Sequence, residues 1–79
     1  SAGTNYEEAR TAESRSDFVH KLKIALKELR ESSYWLKVVR DAGLLAVDRL
    51  DGIIQEATEL SNILATSIIT AKQNAKQGS

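Results

Sequence analysis

From Phe18 onward, apolar or small residues recur in steps of four and three: Phe18, Leu22, Ala25, Leu29, Ser32, Leu36, Val39 and Gly43. Such steps keep returning to one side of an α-helix, so the spacing predicts a long helix with a continuous seam. Val47, Leu50, Ile54, Ala57, Ser61, Leu64, Ile68 and Ala71 repeat the pattern and predict a second one. Further apolar residues lie off both seams. Val19, Ile24, Leu26, Trp35 and Val38 flank the first, and Ile53, Leu60, Ile63 and Ile69 flank the second. The apolar surface is wider than a single partner helix can cover.

Local signals divide the chain into helices over about 2–14, 15–42 and 48–73. Thr4 with Glu7, or Asn5 with Glu8, has the spacing of a capping box. Ser14 with Asp17 predicts a break at SRSD and a fresh helix start. Gly43 is the natural left-handed residue after a helix end. Leu44, Leu45 and Val47 are expected to close the core there, and Asp48 with Asp51 to open the last helix. Gly52 is read as permitting close approach or local looseness, and KQNAKQGS as a fraying end. The β-like runs IIQEA and SIITA fall inside periodic segments and read as helix. The expected fold is all-α: a single domain over 1–79 forming a left-handed, antiparallel up-down helical bundle. This chain supplies one short and two long helices of a four-helix bundle.

Composition narrows the function. A chain of 79 residues has room for one small domain, which buries only ~60% of its unfolded surface. Eleven basic and eleven acidic side chains cancel, so no global charge draws it to nucleic acid or to a membrane. The absence of cysteine excludes disulfides, zinc fingers and thiol catalysis. No apolar run approaches the ~20 residues of a membrane span.

Three stretches are more specific. TNYEEARTAES, DFVHKLKIALKELRESSYWLK and ELSNILATSIITAK resemble the four-helix bundle family encoded in intervening sequences of bacterial 23S ribosomal RNA genes, also called an S23 ribosomal protein family. The resemblance runs from Gly3 to about Lys72. It implies that Asn5 and Glu8 lie near the end of the family's second helix and Phe18 at the start of its third. Tyr34, Trp35 and Leu36 match its aromatic pair before a leucine. Family members carry a longer N-terminal region, so the resemblance implies an N-terminally incomplete copy. It also implies a bacterial, cytoplasmic homo-oligomer, commonly a pentamer, of unsettled cellular role. A distant relative, the accessory protein of diversity-generating retroelements, partners a reverse transcriptase and nucleic acid.

Candidate functional residues come from charge. Residues 18–40 carry a net +4, with six basic side chains against Glu28 and Glu31, and residues 41–60 a net −4. His20, Lys23, Lys27, Arg30 and Lys37 share one helix face, with Tyr34 in the same row. Such a stripe suits a phosphate backbone and a stacked base, or an acidic protein partner. Its ordinary reading is a solvated face. Trp35 is read first as a core residue, and with Ile24, Val38, Ile53 and Ile63 it is the candidate oligomer interface. Asp17 and His20 have half the spacing of a di-metal site, but no second histidine exists, so no metal is expected. No catalytic triad, phosphate loop or cofactor motif is present, and no enzyme activity or cofactor is expected. The leading expectation is a non-enzymatic homo-oligomeric interaction or scaffold protein. Its partners would be its own copies or another protein, with no membrane involved. The alternative is a nucleic-acid-binding accessory protein that uses the basic face.

Overall fold

The computed structural model describes the backbone of residues 2–77 and the side chains of residues 5–76. Two helices account for nearly all of it, α1 (Ala2–Asp41) and α2 (Val47–Gln77). Without proline, and with Gly52 the lone glycine between residues 44 and 77, little in the sequence can interrupt either helix. α2 turns back along α1 to make a hairpin 63 Å long and 15 by 13 Å across. No strand occurs among the described residues, so IIQEA and SIITA are helical as their setting predicts.

The turn is built as the sequence suggests. Gly43 has φ 72°, the left-handed conformation. The Gly43 amide donates to the Arg40 carbonyl at 3.0 Å, and the Leu44 amide to the Val39 carbonyl at 3.3 Å. This crossed pair is a Schellman cap, which satisfies carbonyls the helix end would otherwise orphan. The amide of Leu50 donates to the carbonyl of Ala46, so α2 starts one residue ahead of Asp48. Asp51 does not answer Asp48. Arg40 Nη1 donates to Asp51 Oδ1 at 3.0 Å, and its Nε to Asp41 Oδ1 at 3.1 Å. The hydrogen bond to Asp51, then that to Asp41, raise the Arg40 pKa above its ordinary value. Leu44, Leu45 and Val47 are exposed, so they do not close the core. A two-helix layer leaves nothing beyond the turn for them to pack on.

Four further expectations are corrected. The break at SRSD is absent, and α1 runs through it. The capping side chains are present, but residues 5–18 are all exposed, with Ala12, Arg15 and Ser16 bordering just the last turns of α2. Ending a helix there would orphan backbone groups with little packing in return, so propagation wins. Asp17 instead pairs with Lys21 at 3.0 Å, one helical turn on. At the other end α2 continues to Gln77, past the expected limit at Gln73. The Gly52 position opens on empty space, which overturns close approach, the first of its two readings, and does not bear on local looseness. Thr4, a candidate cap, lies outside the described side chains.

The fourth correction concerns the α1 seam. Leu22, Leu29 and Leu36 do face α2, but the row completing it is Val19, Leu26, Ser33 and Arg40, not Phe18, Ala25 and Ser32. Both rows flank the leucines, and one partner helix can cover only one of them. The Arg40–Asp51 bridge and the small Ser33 favour the observed side. On α2 the seam matches its prediction from Leu50 to Ala71 and extends to Ala75. Leu26, Leu50, Ile54, Ala57 and Ile68 form the buried core.

Candidate interaction surfaces

The shifted seam gives the hairpin two unlike sides. At ~100° per residue, Lys23, Arg30 and Lys37 flank the Val19–Leu26–Ser33 row. A groove joins Arg30, Ser33, Tyr34 and Lys37 of α1 to Thr58, Ser61 and Asn62 of α2. Toward the open end, a second groove joins Arg15, Ser16, His20 and Lys23 to Lys72 and Lys76. The predicted stripe therefore borders the interhelical groove, and α2 adds two lysines that sequence reasoning placed only in a fraying tail. Their four-residue spacing was legible, but their register against Lys23 required the hairpin.

Lys72 lies beside Lys23, and this neighbouring amino group lowers the Lys72 pKa. The charge of Lys23, desolvation and the charge of Lys76 act in the same direction. His20, Lys27 and Tyr34 stand farther out on the same face, all exposed.

The opposite side is apolar. It carries Phe18, Ala25 and Val39 from α1 with Ile53 and Leu60 from α2, bordered by Ile63, while Trp35 lines a hollow of α1 with Lys27, Arg30, Glu31 and Tyr34. Phe18 is 56% exposed, Trp35 62% and Ile63 61%. Trp35 is thus not in the core. It packs edge-on against Tyr34, ring centroids 5.2 Å apart at 73°. Ile24 and Val38 lie on the outer face of α1 and are also exposed, as is Ile53 on α2. All five candidate interface residues are therefore at the surface, but spread over the apolar side and the back of α1. On the overhanging end of α1, Arg10 stacks over Tyr6 at 5.9 Å. Asn5 and Glu8 lie there too, exposed within the helix.

Among the described residues no cluster of three or more His, Asp or Glu side chains could hold a metal ion, and no helix is long and apolar enough to cross a membrane. No curated protein matches this chain, and no solved structure does. The sequence model of the 23S rRNA-intervening sequence protein family matches residues 1–66, which span α1, the turn and most of α2. Lys72 and Lys76 lie beyond that match. Over more than half its length the sequence meets the family pattern, and the chain belongs to the 23S rRNA-intervening sequence protein family.

Proposed function

We propose that this hairpin is the subunit of a non-enzymatic homo-oligomeric scaffold, its apolar side covered by helices of further copies in an antiparallel bundle. The supporting observation is surface area. A compact monomer of 8.7 kDa exposes about 4,700 Å² by the size scaling of folded proteins. This chain exposes 6217 Å². The excess of about 1,500 Å² is roughly twice what one partner buries in a standard interface, so it can serve two neighbours. The shape agrees: the radius of gyration is 18.3 Å, against about 12 Å for a compact chain of this length.

Light scattering at micromolar concentration tests the reading. The expected mass is a multiple of the chain mass, with the pentamer the stoichiometry the family resemblance implies. Trp35, the sole tryptophan, serves as a probe: assembly should shift its emission to the blue and shield it from iodide. Leu60→Glu should reverse both effects and lower the mass. A monomeric mass with fully quenchable Trp35 would end the proposal.

The second reading, a nucleic-acid accessory role, is favoured by the basic groove and the exposed Tyr34. Phosphate contacts weaken steeply with salt, so RNA and DNA titrations at low and physiological salt address it. Binding lost in Lys27→Gln/Lys37→Gln and steeply salt-dependent would support it. No binding at low salt would remove it.

A further inference from the structure

We propose that the open end of the hairpin holds a site for an oligophosphate anion, formed jointly by Arg15, His20 and Lys23 of α1 and Lys72 and Lys76 of α2. Neither helix makes the site alone. Five basic groups line one groove, Ser16 adds a hydroxyl, and no carboxylate lines it. Asp17, which pairs with Lys21, is not among the lining residues.

The chemistry at its centre calls for an acceptor. Lys23 and Lys72 face each other across the same groove. A charged ammonium group donates three hydrogen bonds and accepts none, so two cannot satisfy each other while both are charged. Water can accept from both exposed groups, but an anion also offsets their mutual repulsion by bringing negatively charged acceptor oxygens between them. A phosphate between them is such an anion, because its oxygens accept charge-assisted hydrogen bonds from both nitrogens. Arg15 lies two helical turns before Lys23 and offers a planar fork to a second phosphate. Ala12, Val19 and Ala75 complete the lining with apolar and small side chains, leaving Ser16 and the basic groups as its polar features.

The ligand chemistry is linked phosphates. Their source is either a nucleic-acid backbone or a small diphosphate compound. The proposal uses the same basic side as the nucleic-acid reading, but does not require nucleic acid to be the ligand.

Pyrophosphate titrated into the full chain, followed by NMR of the lysine side chains, tests it. Lys23 and Lys72 signals should move, and the lowered Lys72 pKa should rise toward its ordinary value. Lys23→Gln/Lys72→Gln should weaken binding about tenfold or more, as loss of charge-assisted contacts predicts. Lys21→Gln removes the same kind of charge outside the groove and should leave binding within about twofold, since only screened long-range charge is lost. Lys23→Arg/Lys72→Arg should retain binding, which separates loss of charge from loss of fold.

A short single-stranded RNA that displaces pyrophosphate identifies a backbone as the source. An RNA that binds without displacing it, or does not bind, identifies a small diphosphate. RNA binding lost while pyrophosphate still binds would count against the accessory role alone. Light scattering on the same samples keeps assembly separate. The proposal is overturned if pyrophosphate leaves Lys23 and Lys72 unmoved, or if Lys21→Gln weakens binding as much as the double variant.

Discussion

Replacing Leu50 by alanine tests the packing of this hairpin directly. Leu50 is the best-buried side chain, only 3% exposed, and lies in the first turns of α2 beside the Arg40–Asp51 bridge. The substitution removes three carbons, and at ~0.8 kcal/mol per buried methylene the transfer loss is about 2.4 kcal/mol. Leucine-to-alanine changes in cores cost 2–5 kcal/mol once the cavity is included. The site adjoins a turn with exposed neighbours and can partly collapse, so the expected cost is about 2–3 kcal/mol. Leu29, mid-seam but half-buried, should cost roughly half as much in a free hairpin. Its open flank borders Ala25 and Ser32 on the apolar side, so assembly should raise its cost toward that of Leu50. Urea unfolding followed by far-UV circular dichroism measures both, at dilute and at high protein concentration. With m about 1–1.5 kcal/mol/M, Leu50→Ala should lower the midpoint by roughly 2 M. A loss under about 1 kcal/mol for Leu50 would refute the packing argument. A Leu29 cost that never changes with concentration would refute its link to assembly.

Gly43→Ala forces a side chain into the left-handed region and should cost about 1–2 kcal/mol in the same urea assay. Gly52→Ala, mid-helix and facing open space, should stabilise by up to ~1 kcal/mol, and a loss would show that another helix packs there in the assembly. Lys72, with its folded-state pKa below 10.5, destabilises the fold while charged. That penalty is full at neutral pH and is relieved as pH rises through the lowered value toward 10.5. Melting temperatures of wild type minus Lys23→Gln, which cancel the tyrosines, should converge over that range, and a constant difference would contradict the Lys23–Lys72 contact.

Much of this architecture is legible in the sequence because it rests on local rules. Gly43 ends α1 in the left-handed conformation, since few other residues adopt it cheaply. The α2 seam from Leu50 to Ala71 follows the apolar period almost residue for residue. The α1 seam does not, because Phe18–Ala25–Ser32 and Val19–Leu26–Ser33 are equally periodic flanks of the same leucines. Choosing between them needs the long-range partner, and the Arg40–Asp51 bridge is such a contact. The SRSD signal fails for a related reason. A capping pair fixes where a helix can start, while a turn also requires something for the next helix to pack on. The basic stripe was readable as a face of α1, but its continuation by Lys72 and Lys76 depended on α2 lying beside it.

The seam choice also decides how the two surfaces can coexist. With Val19, Leu26 and Ser33 against α2, the lysines border one groove and Phe18, Ala25 and Val39 border the other. The alternative seam would have buried Phe18 and left Leu26 exposed among cations, mixing the two characters on one side. In the observed register, helices covering the apolar side need not desolvate Lys23, Arg30, Lys37 or Lys72. Burying those groups in a symmetric interface would bring like charges together and cost far more than apolar contact could return. The register therefore favours assembly through one side only and keeps the cationic groove open to solvent. In a ring of such subunits each groove would be repeated around the axis, so weak phosphate contacts could add through multivalency without any single site being tight. A net charge of zero is then no obstacle to anion binding, because the acidic residues of 41–60 lie mainly at the turn end and the phosphate groove at the other.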